Sequence, residues 1–184
     1  MIGNDIIDLS LAKTASNWQR KGFLEKQFTA NEQQLILEAP NSFVMVWRLW
    51  SMKEAAYKIF TQQHNVRFFA PKKFECKLMQ DLKGVVCYKG QQFYTSSIIN
   101  QHCIFTKAGL SKEESSYSGM VPPDQIDTMI RRRLNVLTAL KMSGIKQKKS
   151  KNGVPSYYNK TTLLTSSCSI SHHGKYGAYS FLEA

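Results

Sequence analysis

The chain has 184 residues, 42% of them hydrophobic, which is enough for one full-sized core and predicts a single domain over residues 1–184. It has no apolar run of the roughly 18 residues that a membrane span needs, and Asp5 and Asp8 lie where a signal peptide would carry basic residues. We therefore expect a cytoplasmic protein without membrane contacts. Its four cysteines lack zinc-ligand spacing and are predicted to be free thiols in a reducing compartment.

A large excess of positive charge is the most informative feature of the composition. Lys and Arg number 25 against 13 Asp and Glu, which gives a formal net charge of +12. Such an excess favours an anionic partner, which can be a nucleic acid, a phosphorylated ligand, an acidic protein or a membrane surface. The alternative is that the charge serves only solubility.

The first third of the chain reads as one apolar strand followed by three helices. The helices are indicated by apolar positions at helical spacing, by a capping box formed by Thr29 and Glu32, and by a break at residues 40–42. The predicted ranges are residues 1–9 for the strand and residues 11–28, 29–38 and 43–62 for the helices. Asp5 interrupts the strand. Because an unpaired buried carboxylate is costly, Asp5 either makes local backbone hydrogen bonds or binds a cation.

The third predicted helix carries Glu54 and Lys58 four residues apart. Residues at this spacing lie one above the other on one helix face. Ala55 and Ala56 leave the helix thin beside them, so another element or a ligand can approach closely. Taken alone, such a pair is more often a solvated surface pair worth about a few tenths of a kcal/mol. It becomes informative only if a second acidic site converges on it.

The remainder of the chain predicts a meander of strands, a polar loop, one helix and two final strands. The predicted ranges are strands at residues 74–78, 84–88, 92–96 and 102–106, an exposed loop at 111–119, a helix at 125–142, and strands on both sides of a polar corner at 171–174. A basic segment at residues 146–151 leads into an Asn152-Gly153 turn. It is either a solvated turn or a contact with an anion or a partner. The sequence shows no internal repeat.

Polar groups stand out in three separated segments: Asp5 in the first strand, Glu54 and Lys58 in a helix, and Ser171 and His172 at the last corner. Together these segments resemble the 4'-phosphopantetheinyl transferase superfamily. The matching segments are residues 3–7 (G-N-D-I-I) for the family's G-x-D-I motif, residues 50–58 (W-S-M-K-E-A-A-Y-K) for W-[ST]-x-K-E-A-x-x-K, and residues 169–172 (S-I-S-H) for S-I-S-H. Two further segments match the family more weakly: residues 28–32 (F-T-A-N-E) resemble its F/L-T-x-x-E motif, and residues 152–155 (N-G-V-P) resemble its G-K/R-P turn.

The order of these motifs is similar to that of the short, holo-acyl-carrier-protein-synthase type, which has the aspartate motif first and the Ser-His motif last. The resemblance covers residues 1 to about 80 and 150–184. It implies an α+β fold in which a small antiparallel sheet packs on the motif helix. The segment at about 84–144 is then interpreted as an inserted hairpin and helix.

The resemblance implies an enzyme that transfers the phosphopantetheine arm of coenzyme A to a serine of a carrier protein, with Mg²⁺, and releases 3',5'-ADP. Asp5 and Glu54 are the expected metal ligands, because Mg²⁺ prefers carboxylate oxygens. Lys58 is expected to bind phosphate and to orient or help deprotonate the serine. Ser171 and His172 are expected to contact the coenzyme's phosphates.

One departure from the family pattern concerns the metal ligands. Ile7 occupies the position where the long type of the family carries a third acidic ligand. Asp8 is one residue further along, and on a strand it faces away from Asp5 and Ile7. We therefore expect two protein ligands to the metal, as in the short type.

The resemblance also implies partners for the positive charge. An acidic acyl or peptidyl carrier protein would meet a basic rim formed by Arg20, Lys21, Lys26 and the segment at residues 146–151. Short-type relatives also suggest a homotrimer in which the Ser-His corner of one subunit faces the acidic site of another. Two alternatives stay open. One is a nucleic-acid-binding module in which Arg131 to Arg133 and the segment at residues 146–151 bind phosphates while Tyr or Phe side chains stack on bases, and the other is a degenerate transferase kept as a binding protein.

Overall fold

The computed structural model describes residues 1–68, 70–112 and 115–184. Within these residues the helices are α1 (Leu9–Ala15), α2 (Phe23–Gln27), α3 (Ala30–Glu38), α4 (Ser42–His64) and α5 (Ile126–Thr138). The strands are β1 (Ile2–Asp8), β2 (Glu75–Leu78), β3 (Lys83–Tyr88), β4 (Gln91–Ile99), β5 (Cys103–Gly109), β6 (Tyr117–Val121), β7 (Ile145–Lys149), β8 (Pro155–Asn159), β9 (Thr162–Leu163), β10 (Thr165–His173) and β11 (Tyr176–Glu183). The strand pairs are antiparallel, which confirms the predicted α+β class. None of the described helices has both the length and the hydropathy of a membrane span.

The motif helix α4 packs on a five-stranded sheet of order β1-β5-β4-β3-β2. The apolar core between them includes Leu49, Met52 and Ile59 of the helix and Phe93 and Ile104 of the sheet. β1 approaches the helix so closely that a Cβ at position 3 would collide with the carbonyl oxygen of Ala55, so only glycine fits there. The thin helix face expected at Ala55 and Ala56 is therefore occupied by a strand of the same chain.

The second part of the molecule is built on a three-stranded sheet of order β10-β11-β6 and on the small sheet β7-β8-β9. Helix α5 covers them, with Ile130 and Leu134 in a second core beside Tyr157 and Phe181. The two sheets are linked by the bond from Tyr157 N–H of β8 to Thr165 Oγ1 of β10, 3.0 Å, beside the backbone bond from Leu164 N–H to the Tyr157 carbonyl, 2.8 Å. This part thus has its own core.

The two parts repeat one topology. In the first, β1 and α4 precede the successive strands β2 to β5, and β1 pairs with the last of them. In the second, β6 and α5 precede β7, β8, β10 and β11, and β6 again pairs with the last strand. The segment at about 84–144, interpreted above as an insertion, contributes β3 to β5 to the first unit and β6 and α5 to the second. The repeat was missed because it lies in strand order and pairing and not in residue identity.

Two further boundaries differ from the sequence predictions. The helix expected over residues 11–28 is two short helices, because Ser16 is extended and Gly22 is left-handed with φ +80°. The loop expected at residues 111–119 ends in strand β6, which begins at Tyr117 and pairs with β11. Residues 113 and 114 of that loop lie outside the described residues.

The units meet along β1, whose outer edge is bonded by side chains of β10. Ile2 N–H donates to Ser167 Oγ and Asn4 N–H to Ser169 Oγ, both 2.9 Å, and Asp8 N–H donates to His173 Nδ1, also 2.9 Å. The partners are 165 residues apart in every pair, so β10 runs parallel to β1. We call this row of contacts the seam. It holds the two sheets together without merging their backbone ladders.

A buried ion pair between α3 and α4 fixes the motif helix. Lys53 is 1% exposed, and its Nζ lies 2.8 Å from the carboxylate of fully buried Glu32. The other donors of Lys53 reach the carbonyls of Pro71 and Phe74. Glu32 also closes the predicted capping box with Thr29 and accepts from the backbone N–H of Cys76. All the charged groups of this pair are hydrogen-bonded.

We predict that Lys53→Met lowers the free energy of unfolding by about 3–5 kcal/mol, because it leaves the Glu32 carboxylate buried and unpaired. Urea unfolding measures this effect. The double variant Glu32→Gln/Lys53→Met should recover part of the loss, because no charge then remains buried. Exposed Lys72→Met is the matched control, with an expected change within about 0.5 kcal/mol. Equal losses in Lys53→Met and Lys72→Met would contradict the prediction.

Candidate active site

A cleft of about 520 Å³ lies where α4 faces the second unit. That volume is in the range of small-molecule sites. Its lining comprises Glu54, Tyr57, Lys58, Thr61 and Gln62 of α4, then Arg67 and Phe68, then residues 152–155 of the β7–β8 turn, and Cys168, Ser169 and Ile170 of β10. The predicted pair Glu54 and Lys58 thus lines a cleft and is not a solvated surface pair.

Asp5 lies beside Lys58, one layer behind the cleft lining. Lys58 Nζ donates to the Asn4 carbonyl at 2.7 Å and contacts Asp5 Oδ1 at 3.3 Å. The second carboxylate oxygen of Asp5, Oδ2, is buried and has no hydrogen-bond partner among the described residues. Burial raises the pKa of Asp5, while the Lys58 ammonium acts in the opposite direction. An orphaned buried carboxylate oxygen is suited to a cation.

Glu54 is electrostatically coupled to the same site. Burial, and secondly the negative charge of Asp5, raise the pKa of Glu54 from 4.5 to about 7, against a lowering effect of Lys58. Two neighbouring carboxylates repel each other when both are ionised, and a divalent cation bound between them stabilises their ionised forms. The described residues contain no group of three or more His, Cys, Asp and Glu side chains able to hold a metal.

Asp8, which the sequence analysis did not select as a metal ligand, has a structural role. Its Oδ1 accepts from the backbone N–H groups of Ser10 and Leu11 and caps α1. Its Oδ2 accepts from Lys175 N–H at 3.3 Å. A Cβ at Gly174, where φ is +56°, would collide with that same carboxylate. Asp8 therefore fixes the β10–β11 corner against β1.

The Ser-His corner is placed differently from the expectation. Ser171 is buried in β10 and His172 is exposed, and neither lines the cleft. Ser169, two residues earlier, does line it. His173, which sequence reasoning did not select, bonds the end of β1. Alternation along a strand could have indicated that Ser169 and His173 share a face, but not which element that face meets.

The basic turn between β7 and β8 lies at the mouth of the cleft. The Asn152 side chain donates to the Asn65 carbonyl just beyond the end of α4, and Gly153 lies against the exposed Arg67. The four lysines of the segment at residues 146–151 are exposed. Their charges are therefore available to an anion near the cleft or to a partner.

Comparison with known proteins identifies the family. The model of the 4'-phosphopantetheinyl transferase superfamily matches residues 1–107, more than half of the chain. The chain belongs to this superfamily. The matched region contains all three of Asp5, Glu54 and Lys58.

The crystal structure of the Thermotoga maritima holo-[acyl-carrier-protein] synthase is similar over 86% of this chain and 82% of that one, with a TM-score of 0.44 and 13% sequence identity. Comparison with curated protein sequences gives no match.

The raised pKa of Glu54 gives this phosphopantetheinyl transferase a predicted pH dependence. Folding makes Glu54 bind a proton between pH 4.5 and about 7, so the metal-free protein should lose stability as the pH rises through that window. Glu54→Gln removes this titration, and the variant should gain stability relative to the parent from about pH 5 to about pH 8. Urea unfolding in a chelator measures the difference. Parallel pH profiles of the two proteins would contradict the assignment.

Proposed function

We propose that this protein transfers the 4'-phosphopantetheine arm of coenzyme A to a serine of an acyl or peptidyl carrier protein, in a Mg²⁺-dependent reaction that releases 3',5'-ADP. The observation that carries the proposal is that Glu54 and Lys58 line one wall of a cleft of about 520 Å³, with Asp5 paired to Lys58 behind that wall and electrostatically coupled to Glu54. Superfamily membership supplies the reaction class.

The donor set fits Mg²⁺. Asp5 and Glu54 would hold the ion, since Asp5 offers an unpartnered oxygen and Glu54 becomes a carboxylate most readily beside a cation. When bound, the ion would supply charge neutralisation on the pyrophosphate, whose P–O–P linkage is cleaved so that one phosphate stays with the transferred arm and the other leaves with 3',5'-ADP. Water would complete its coordination.

Lys58 is the phosphate-binding side chain in this proposal. An ammonium group has three N–H donors, and two of those of Lys58 are directed to Asn4 and Asp5. The third is available to the cleft, where it can bind a pyrophosphate oxygen as a charge-assisted hydrogen bond. Lys58 then orients the phosphorus toward the incoming serine. Such positioning, together with electrostatic stabilisation, is the larger part of catalysis in phosphoryl transfer.

The second unit would supply the opposite wall. Arg67 lines the cleft, and the exposed lysines of the segment at residues 146–151 precede its lining residues 152–155; these charges would favour the coenzyme's remaining phosphates or an acidic carrier protein. Ser171 and His172 follow the cleft-lining residues of β10 without lining the cleft themselves, so their proposed role is contact with a phosphate of the coenzyme that extends beyond it. We include the cytoplasm in the proposal, because free cysteines such as buried Cys76 and Cys168 fit a reducing compartment.

The arginine run at residues 131–133 gives little support to nucleic-acid binding. Arg131 pairs with Asp127 at 2.9 Å, and the guanidinium of Arg133 lies 4.7 Å from the centroid of the Tyr117 ring. These side chains are engaged within the second unit.

We predict that Glu54→Gln abolishes transfer while the fold is retained, because the amide cannot carry the negative charge that the metal needs. Apo carrier protein is incubated with coenzyme A and Mg²⁺, and the added arm is detected by its mass. Circular dichroism checks the fold, and exposed Glu38→Gln is the matched control with unchanged activity. Transfer by Glu54→Gln at the parental rate, or no transfer by the parent to any of several acidic carrier proteins, would contradict the proposal.

A mixing experiment tests whether one chain holds a complete site. Equal amounts of Glu54→Gln and of Ser171→Ala/His172→Ala are combined and assayed. We expect no recovery of transfer, because β10 of the same chain already lies along β1. A homotrimer with shared sites, as expected from short-type relatives, would instead restore part of the activity. Light scattering during gel filtration then reports the number of chains in each assembly.

A further inference from the structure

Asn4 connects the seam to the catalytic lysine. It is fully buried and immediately precedes Asp5. Its backbone N–H donates to Ser169 Oγ at 2.9 Å, and its carbonyl accepts from Lys58 Nζ at 2.7 Å. One residue therefore receives a bond from the active-site helix and donates one to the second unit.

The Asn4 side chain adds a second attachment to the same place. With its amide oxygen turned toward β11, it accepts from the backbone N–H groups of Tyr179 and Ser180, each at 3.2 Å. Its amide nitrogen then donates to Ser169 Oγ at 2.9 Å. The side chain thus spans both strands of the β10–β11 hairpin. The second unit therefore holds the backbone at Asn4 in two ways, through the backbone N–H and through the side-chain amide.

This attachment bears directly on Lys58. A lysine has four rotatable side-chain bonds, so its ammonium is located only by what it binds. Here it is bound by the Asn4 carbonyl and, more loosely, by Asp5 Oδ1 at 3.3 Å. A displacement of β1 at Asn4 moves both acceptors together, since they belong to neighbouring residues. The position of the Lys58 ammonium therefore depends on Ser169, a residue of the other unit.

We propose that Asn4 and Ser169 are positioning residues, which hold the acceptors of Lys58 and so aim its remaining N–H into the cleft. The proposal rests on the transferase function proposed above. It gives Ser169, the first serine of the S-I-S-H segment, a role through Asn4 in addition to its place in the cleft lining. It also makes the contact between the two units part of the catalytic geometry.

Ser167 provides a matched control. It lies two residues earlier on the same strand, is 5% exposed against 3% for Ser169, and accepts the N–H of Ile2 at the same distance of 2.9 Å. Ser167→Ala and Ser169→Ala should each lower Tm by about 2–4 °C, since each leaves a buried backbone N–H without its acceptor and removes one side-chain bond, to Gln62 from Ser167 and from the Asn4 amide to Ser169. Only Ser169→Ala should also lower kcat, by about tenfold or more, because a small misplacement of a catalytic group is costly.

A second measurement does not depend on transfer. An acetylating reagent labels lysine amines, and mass spectrometry gives the rate at Lys58 relative to exposed Lys13. Ser169→Ala and Asn4→Ala should increase the relative rate at Lys58 severalfold, because the ammonium loses its fixed acceptors. Ser167→Ala should leave it unchanged.

The outcomes separate the two proposals. Equal kcat values and equal Lys58 labelling in Ser169→Ala and Ser167→Ala would overturn the positioning role. Loss of kcat in proportion to the loss of stability in both variants would overturn it as well. If the parent transfers no arm, the proposed function fails, and Lys58 labelling alone then decides whether Asn4 and Ser169 position the lysine.

Discussion

The hydrogen bonds from the edge of β1 to side chains of β10 are the constraint on which the rest of the structure depends. A backbone ladder would bring the two strands to about 4.7–4.9 Å and merge the sheets. Ser167, Ser169 and His173 instead place side-chain acceptors between the strands, which satisfies the buried N–H groups of β1 and keeps the sheets separate. The space that remains beside this row of contacts, between α4 and β10, is the cleft. The same contacts that join the units therefore also create the site.

The buried pair Lys53 and Glu32 explains why the motif helix presents Glu54 to the cleft. Successive residues on a helix point about 100° apart, given 3.6 residues per turn. Lys53 is fixed toward α3 by the Glu32 carboxylate and two backbone carbonyls, so the rotation of α4 about its axis is set. Glu54 and, one turn later, Lys58 must then face the other side, toward β1 and the cleft. The K-E dipeptide of the motif therefore combines Lys53, which fixes the helix, with Glu54, which lines the cleft.

Sequence reasoning predicted most elements of the first unit well, because they depend on local patterns. Helix α4, the capping box of α3 and the meander followed from periodicity and turn residues, and Asp5, Glu54 and Lys58 followed from motifs. The contacts of Asn4 with Ser169 and of Asp8 with His173 join residues 165 positions apart, and no local pattern encodes which strand edges will meet. The repeat was hidden for a similar reason, since its two copies share strand order but fill it with different residues.

Both walls of the cleft belong to one chain, and this changes what the cleft needs in order to form. In a site shared between subunits, the concentration of the protein decides how often the two walls meet, whereas a covalent connection fixes their effective concentration. Here Asp5, Lys58 and Ser169 are brought together by the fold itself, through Asn4. A single chain consequently contains every side chain that the proposed chemistry uses. Association with further copies would then act on stability or on carrier-protein docking and not on the completeness of the site.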